Sequence, residues 1–431
     1  MELCLTATGE QGLSDEEIRA GLFALLSNHP AKKVLILPPD FTRYHSKAGF
    51  LTNVCYHFYT TRGAEVDILP TLGTHRAMTE AEAKKMFGDV PFARFFVHNW
   101  RSDVVKIGEV PGEFLGEMTQ GLWTESIEVE VNRRIMDASY DLILSPGQVV
   151  PHEVIGMANH SKNIFVGAGG AEMINKSHML GAIYGMERVM GRDFSPVRRV
   201  FDYALTRFLA ERPLLFLLTV TTAPDGKTAT HGLFAGRERD ALEAAVTLSQ
   251  QKNIDFVPRA IQKCVVYLDP NEFHSTWLGN KAIYRTRMAI ANGGELLILA
   301  PGVKTFGEDA QVDALIRNYG YCGRERVLAL LKSGASDALN ENRSAAAHLI
   351  HGSTDGRFTV TYAVESAFRA QMERVQFQSA DIYEMLRRYD PQKLTCGYNT
   401  MPDGEEIFFV PNPALGLWIE RERFEQEGGK R

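Results

Sequence analysis

The chain has few cysteines, and none of them lie at the spacing of a metal site. Its 431 residues contain five, namely Cys4, Cys55, Cys264, Cys322 and Cys396, with no C-x-x-C motif. An odd, scattered set argues against a disulfide framework and against a cysteine zinc site. We therefore expect a reducing, cytoplasmic location in which the cysteines fill the core.

Long hydrophobic runs and a surplus of positive charge are also lacking. The longest apolar run, PLLFLLTV at 213–220, is far too short for a membrane span and indicates a buried strand. The first residues, MELCLTATGEQGLSDEE, lack the cationic and apolar regions of a secretory signal. The net charge is −6 and no Lys/Arg-rich run occurs, which argues against a nucleic-acid partner. We expect neither a membrane nor a nucleic acid as partner, and no oligomeric state is predicted.

The composition that remains is that of a globular α/β protein. Hydrophobic residues make up 45% and charged residues 23% of a chain too long for one ordinary core. Short apolar runs alternate with amphipathic stretches, which is typical of βα repeats and mostly parallel sheets. We predict an N-terminal α/β domain over 1–258 and a C-terminal α/β domain over 259–431, with the active site in the cleft between them.

The individual elements follow from the same patterns. Ser14 and Glu17 form a capping box that should begin the first helix. A further helix is predicted over 280–292. Predicted strands in the N-terminal part are 33–38, 65–70, 93–98, 141–146, 163–167 and 214–220.

Reactive side chains follow three of these predicted strands. LILPPDFTR ends in Asp40, Thr42 and Arg43, and VDILPTLGTHR brings His75. DLILSP is followed by PHEVIGMANHSKNIFVGAGGAEMINKSH, residues 151–178. Because the carboxyl ends of neighbouring parallel strands face one crevice, we expect these groups to converge there.

The residue types in this set suit acid/base chemistry on an anionic substrate. His75 and His152 lie after different strands, and imidazole titrates in the range that general acid/base catalysis needs. Arg43 offers a planar fork for a carboxylate. Taken singly, the histidines are equally compatible with loop residues that hydrogen-bond carbonyls, and Arg43 with a surface ion pair.

A glycine cluster, VGAGGAEM, follows the predicted strand 163–167. Gly167, Gly169 and Gly170 permit close approach of the backbone to an anion such as a nucleotide phosphate. Their spacing is not that of the dinucleotide fingerprint G-x-G-x-x-G. A tight turn explains the cluster equally well.

Five motifs in order resemble the lactate racemase family, and the resemblance covers most of the chain. They are DFTR at 40–43, GTHR at 73–76, PHEVIGMANHSK at 151–162, His178, and Lys281 before AIANGGELLIL. Members of that family use a covalently held nickel-pincer nucleotide, which is nickel pyridinium-3,5-bisthiocarboxylic acid mononucleotide. The resemblance implies a racemase or epimerase of 2-hydroxy acids.

The resemblance also implies a role for each residue. Lys162 is expected to carry the cofactor through a thioamide, and His178 to supply the nitrogen ligand to nickel. His75 and His152 become the acid/base pair, and Arg43 and Lys281 hold the substrate carboxylate. The remaining cofactor-binding residues are expected to be Asp40, Thr42, Gly167, Gly169 and Gly170. The enzymes that make the cofactor are expected as transient partners.

Departures from the family pattern bear on the substrate. NHSK at 159–162 replaces a Gly-rich S-G-G-[RK]-K, Tyr44 replaces a proline, and Trp277 and Leu278 stand where lactate enzymes carry Tyr-Gln. The segment 45–47 adds a His, a Ser and a Lys as hydrogen-bond donors. We therefore predict a sugar acid, an aldonate such as gluconate epimerised at C2 by hydride transfer.

Three alternatives stay open at this point. The first is a racemase of a smaller 2-hydroxy acid such as lactate, malate or phenyllactate. The second is a nickel- or zinc-dependent hydrolase that uses the histidines directly, although the sequence lacks the spacing H-E-x-x-H. The third is a non-catalytic protein that binds organic acids.

Overall fold

The computed structural model describes residues 1–223, 226–333, 337–414 and 416–426. These residues form two compact units. The first contains Met1–Leu180 and Val189–Asn253, and the second contains Gly181–Arg188 together with the described chain from Ile254 onward. Both units are α/β, as the sequence predicts. The boundary of a folding domain near residue 258 stays a prediction.

The first unit is built on a mixed sheet whose central strands are parallel. Four neighbouring strands run parallel, and two antiparallel strands complete one edge. In spatial order the strands are Leu3–Thr6, Ala229–Gly236, Leu214–Thr222, Leu142–Gln148, Lys33–Ile36 and Glu65–Ile68. The three strands predicted at 33–38, 65–70 and 141–146 are therefore confirmed, and they are adjacent. Their carboxyl ends lie at one edge, which positions the candidate site.

Helices of this unit pack against the sheet and against one another through apolar faces. The Ser14–Glu17 capping box begins the first helix as predicted, and its buried face includes Leu22 and Leu26. The helices of this unit are Asp15–Ser27, Ala48–Thr60, Glu80–Phe87, Gly112–Met118, Arg133–Met136, Ala171–Tyr184, Pro196–Phe208 and Arg239–Asn253. The helix Ala171–Tyr184 begins in the first unit, and its last residues belong to the second.

Two predicted strands of this unit are wrong. Residues 163–167 form a π-helical turn, Asn163–Gly167, and the segment 93–98 contains a short 3₁₀ turn, Phe92–Arg94, with one isolated bridge from Phe95. Both runs are apolar and short. A buried apolar run of this length has no periodicity that separates a strand from a helical turn.

Two antiparallel hairpins lie beside the main sheet of the first unit. One pairs Val104–Val110 with Ile127–Asn132, and the other pairs Pro151–His152 with Gly156–Met157. The second hairpin turns the chain directly after the strand Leu142–Gln148 and so fixes where His152 lies.

The second unit repeats the architecture with a different strand order. Its five neighbouring parallel strands are completed by one antiparallel edge strand, and a separate parallel pair joins Asp255–Val257 to Trp418–Glu420. The spatial order is Gln378–Asp381, Thr359–Val364, Ile290–Leu299, Ile261–Tyr267, Glu406–Val410 and Gly397–Thr400.

The helix predicted over 280–292 is shorter in the structure. It covers Lys281–Thr286, and the strand Ile290–Leu299 begins inside the predicted range. The other helices of this part are Met186–Val189, Thr276–Gly279, Ala310–Tyr319, Arg324–Lys332, Asp337–Glu341, Arg343–Gly352, Ser366–Arg374, Ile382–Arg388 and Arg421–Gln426. Among the described residues, no helix has the length and apolarity to cross a membrane.

A buried ion pair ties the segment Gly181–Arg188 to the rest of the second unit. Arg287 Nε donates to Glu187 Oε1 at 2.6 Å, and the two side chains are only 5% and 18% exposed. Burial alone would raise the pKa of Glu187, but the charges of Arg287 and Arg357 outweigh it and lower that pKa. The carboxylate is therefore ionised and stabilises the fold above its unfolded pKa.

Replacing Glu187 by Gln should destabilise this unit, because it leaves the buried Arg287 charge without its counter-ion. We expect the free energy of unfolding to fall by about 3 kcal/mol, measured by urea denaturation at pH 7. The exposed Glu384 provides the control, and Glu384→Gln should change little. The difference from wild type should shrink below about pH 4, where Glu187 itself is protonated. An equal midpoint for Glu187→Gln and wild type would contradict this assignment.

Candidate active site

Asp40 and His75 form a hydrogen-bonded pair after two adjacent strands of the first unit. Asp40 is buried and precedes the 3₁₀ turn Phe41–Ser46. One of its oxygens accepts from the backbone N–H and the hydroxyl of Thr42, at 3.1 and 2.5 Å. The other lies 2.6 Å from His75 Nδ1. Since a carboxylate only accepts, His75 donates from Nδ1, and in the neutral ring Nε2 then keeps a lone pair.

The charge of Asp40 is stabilised by these contacts. Burial acts to raise its pKa, but the hydrogen bonds from His75 and Thr42 outweigh burial and lower it. His75 itself is 56% exposed, so its Nε2 is open to a small molecule. The arrangement orients an imidazole as a proton acceptor in the way that catalytic carboxylate–histidine pairs do.

His152 presents the opposite tautomer. It is half-buried in the short strand Pro151–His152, and its Nδ1 accepts the backbone N–H of Val154 at 3.2 Å. A neutral ring with Nδ1 as acceptor carries its proton on Nε2. Burial lowers the pKa of His152 well below its usual range; the negative Glu153 opposes this, and the positive Lys162 and Arg43 add to it. His152 is therefore neutral and offers an N–H.

Lys162 immediately precedes the π-helical turn Asn163–Gly167. That turn is closed by the Ala168 N–H, which donates to the Asn163 carbonyl at 3.0 Å. Such turns occur often at functional sites. Burial and then the charge of Arg43 lower the pKa of Lys162 to about 8, against the opposing charges of Glu153 and Asp40. Roughly a tenth of this amine is therefore neutral and nucleophilic at pH 7.

His178 is prepared to act as a metal ligand. It lies in the helix Ala171–Tyr184, and its Nδ1 donates to the Ile174 carbonyl one turn earlier at 2.6 Å. This bond leaves Nε2 with a lone pair, which is the arrangement typical of metal-bound histidines. Burial lowers the pKa of His178, with Lys162 adding to the effect, so the ring is neutral as a ligand must be.

Protein groups alone do not make a metal site here. Within the described ranges, no group of three or more His, Cys, Asp or Glu side chains could hold a metal ion. A single imidazole can therefore hold only a metal whose other ligands are supplied by a bound cofactor. These residues fit a nickel-pincer nucleotide, because Lys162 supplies a reactive amine and His178 supplies one nitrogen.

The three glycines of the predicted phosphate loop are each required by protein packing. A Cβ at Gly169 would collide with the Phe165 carbonyl, and one at Gly170 would collide with the Glu130 carboxylate. A Cβ at Gly167 would come within 2.6 Å of the Thr71 side chain. These contacts explain the glycines without a ligand, and their phosphate role stays a prediction.

The two predicted carboxylate anchors are on different units. Arg43 is exposed on the turn Phe41–Ser46, and its charge acts on both Lys162 and His152. Lys281 begins the helix Lys281–Thr286 of the second unit, with its Nζ 5.8 Å from the centre of the Phe273 ring. The structure thus places seven predicted residues near one another in the first unit, and their roles stay predictions, as does that of Lys281. The seven are Asp40, Thr42, Arg43, His75, His152, Lys162 and His178.

Sequence reasoning missed two charged residues of this region. Glu153 acts on His152, Lys162 and His178 at once, and its place next to His152 was an available signal. Arg198 is fully buried and lies beneath the segment before Lys162. Its sequence context, SPVRRVFDYALTRF, is that of an ordinary amphipathic helix and gives no sign of burial.

The residues predicted to reach substrate hydroxyls have other partners in the structure. Ser46 Oγ accepts the Ala48 N–H at 3.2 Å, and Lys47 forms an ion pair with Asp15 at 2.5 Å. His45 Nδ1 lies 3.0 Å from a threonine hydroxyl, and it remains exposed. In the second unit the Trp277 ring stacks on buried His348 with 4.1 Å between centroids. Of the segment 45–47, His45 is the donor best placed for a ligand.

Known proteins resemble this chain in sequence and fold. Residues 24–191 match the lactate racemase N-terminal domain. Over 248 residues the chain is 26% identical to a lactate racemase from Thermoanaerobacterium thermosaccharolyticum, which covers 56% of this chain and 52% of the relative. The chain thus spans about half the length of the curated relative that it matches.

Two solved structures share the fold. The crystal structure of a protein from Thermotoga maritima is 26% identical and aligns with a TM-score of 0.77, covering 96% of this chain and 99% of that one. The lactate racemase apoprotein from Thermoanaerobacterium thermosaccharolyticum aligns with a TM-score of 0.70 at 18% identity, over 95% and 94% of the two chains, and shows the likeness of fold. Together with the five motifs and the geometry around Lys162, these matches lead to one conclusion: residues 24–191 form a lactate racemase N-terminal domain, and the whole chain is similar in sequence and fold to members of that family.

Proposed function

We propose that this protein is a racemase or epimerase that inverts the C2 centre of a 2-hydroxy acid with a nickel-pincer nucleotide bound to Lys162. One observation carries the proposal. A half-buried lysine of lowered pKa lies among two histidines of opposite tautomer and a third whose Nε2 is free for a metal. A cytoplasmic location and transient contact with cofactor-making enzymes belong to the same proposal.

The two catalytic histidines divide the proton chemistry. His75 accepts the hydroxyl proton at Nε2, and the Asp40 carboxylate stabilises the imidazolium that forms. His152 donates a hydrogen bond from Nε2–H to the substrate oxygen, since the Val154 N–H occupies its Nδ1. When bound, the cofactor supplies the hydride acceptor that allows C2 to become planar. Arg43 and Lys281 hold the substrate carboxylate in this proposal.

The favoured substrate class is a sugar acid, an aldonate epimerised at C2. The support is Trp277 and Leu278 in place of a Tyr-Gln pair, and exposed His45 after the Arg43 turn. Ser46 and Lys47 no longer support it, because their polar atoms already have partners. A smaller 2-hydroxy acid is the alternative.

Loading the chain with cofactor tests the roles of Lys162 and His178. In protein co-expressed with the cofactor-making enzymes, peptide mapping should find the adduct on Lys162, and intact protein should contain nickel. His178→Ala should lose nickel. His75→Ala and His152→Ala should retain it but lose turnover by roughly 10²–10⁴-fold, which is the usual contribution of general acid/base catalysis.

Lys176 is the matched control, since it lies on the next helix in an ion pair with Glu172. An adduct on Lys176 or Lys281 would show that the attachment site is wrong. Nickel without any adduct would favour a metal-dependent hydrolase, and neither nickel nor adduct would favour an organic-acid-binding protein. Full nickel in His178→Ala would exclude His178 as the ligand.

The hydrogen on C2 should be conserved during turnover. Hydride transfer returns the same hydrogen to C2, whereas proton abstraction exchanges it with solvent. We expect product formed in heavy water to keep protium at C2, measured by mass spectrometry and NMR after several turnovers. Extensive deuterium at C2 would refute the hydride route.

The substrate class is tested by comparing kcat/KM across gluconate, lactate, malate and phenyllactate. A site that hydrogen-bonds several hydroxyls discriminates strongly against analogues without them, by as much as about 10⁴-fold. We expect gluconate to be the best of the four, and His45→Ala to reduce its kcat/KM more than that of lactate. If lactate proved the best substrate, the proposed sugar-acid substrate class would be wrong.

A further inference from the structure

The segment before Lys162 has a backbone conformation that needs support. Asn159 and His160 both have positive φ, 70° and 55°, in a region that residues other than glycine seldom adopt. The Asn159 side chain gives local help, because its Oδ1 accepts the His160 N–H at 2.7 Å. Such conformations persist only where surrounding groups hold them, and they gather at functional sites. We call residues 157–161 the lysine loop.

One fully buried arginine holds the lysine loop. Arg198, on the helix Pro196–Phe208, donates to the Met157 carbonyl at 2.5 Å and to the Asn159 carbonyl at 3.2 Å. It also donates to the Ser161 hydroxyl at 2.9 Å. These three acceptors are spread over the whole lysine loop. A single planar guanidinium therefore fixes the loop on both sides of its strained residues.

An ionic network anchors this arginine in turn. The Ser161 hydroxyl lies 3.2 Å from Asp202, one helical turn after Arg198. Asp202 pairs with Arg239 at 2.5 Å, and Arg239 reaches Asp193 at 3.2 Å. The two aspartates partly compensate the buried positive charge of Arg198 and act to raise its pKa. Burial is the larger effect, and it lowers the pKa of Arg198 to about 10.

Burying this charge is costly for the fold. Arg198 has no exposed surface, and its Nε finds no hydrogen-bond partner among the residues that the structure describes. Hydrogen bonds to two carbonyls and a hydroxyl offset only part of the free energy of desolvating a guanidinium, which is normally several kcal/mol. Costly buried charges of this kind are a recognised sign of function.

We infer that Arg198 is the positioning residue of Lys162: its three hydrogen bonds hold the lysine loop in the strained conformation from which Lys162 enters the site. The inference rests on the proposed role of Lys162 as the cofactor attachment point. Arg198 touches neither substrate nor cofactor. It acts through the backbone that leads into Lys162 and through its own positive charge.

The electrostatics of Lys162 agree with this geometry. The charged groups that act on its amine are Arg43, Glu153, Asp40 and Arg198. The charge of Lys162 also lowers the pKa of His152 and that of His178, and both imidazoles are neutral. Removing Arg198 takes away one positive neighbour and also loosens the loop that keeps the amine buried. Both changes favour the protonated amine, so they act in the same direction.

The test measures the reactivity of Lys162 in the protein without cofactor. Acetylation by an N-hydroxysuccinimide ester is followed from pH 6 to 10, and the modified fraction of Lys162 is read by peptide mass spectrometry. In wild type we expect a midpoint near the value of about 8 given above. Arg198→Met should raise that midpoint by about one pH unit or more. It should also reduce cofactor loading at neutral pH by about 10-fold or more.

Two further variants separate positioning from charge and from general damage. Arg199→Met, on the exposed side of the same helix, is the matched control and should leave the midpoint unchanged. Arg198→Lys keeps the charge but cannot span three acceptors, so it should still raise the midpoint. A wild-type midpoint for Arg198→Lys would overturn the positioning role and leave only a charge effect.

Ser161→Ala keeps the test decisive if Arg198→Met fails to fold. It removes one acceptor from the network and should raise the midpoint in the same direction, whereas Ser249→Ala, another buried serine, should not. An unchanged midpoint in Ser161→Ala, or in a folded Arg198→Met, overturns the inference. Because the midpoint needs no cofactor, an adduct found elsewhere than on Lys162 would instead refute the proposed function.

Discussion

The candidate site depends on one physical constraint, which is the partial desolvation of several basic side chains in a small region. Lys162, His152 and His178 lie within each other's electrostatic influence, and burial is the largest cause of the lowered pKa of each. A cluster of protonated side chains there would be strongly unfavourable. The fold therefore keeps the two imidazoles neutral and the amine partly so, and neutral nitrogen is the form that binds metal and attacks electrophiles.

Short-range hydrogen bonds then decide what each neutral imidazole can do. A carboxylate at His75 Nδ1, a backbone N–H at His152 Nδ1 and a helical carbonyl at His178 Nδ1 give three different outcomes for Nε2. In the first and third cases Nε2 holds a lone pair, and in the second it holds a proton. In the proposed function the same residue type thus serves as acceptor, donor and ligand, because the partner of the other nitrogen differs.

How far the sequence predicts this site depends on how local each signal is. Asp40, His75 and His152 follow apolar strands in short motifs, so parallel-strand topology predicts that they converge. The turn Asn163–Gly167 resembles a strand in sequence because its apolar residues are buried on all sides. Arg198 leaves no signal, since its acceptors lie some 40 residues earlier in the chain and its burial depends on the packed fold. Nothing in SPVRRVF separates a buried arginine from the exposed Arg199 beside it.

The scarcity of protein ligands and the reactivity of Lys162 are linked in the proposed function. One imidazole, that of His178, holds a metal weakly, and the described residues offer no second and third donor close to it. In the proposed function a metal at this place is retained through the group that carries it, by a covalent bond to the chain. That bond requires an unprotonated amine near neutral pH, and burial beside Arg43 and Arg198 provides it at Lys162. In the proposed function the strained loop that places this lysine is therefore part of how the metal is retained, although no atom of the loop needs to touch the metal.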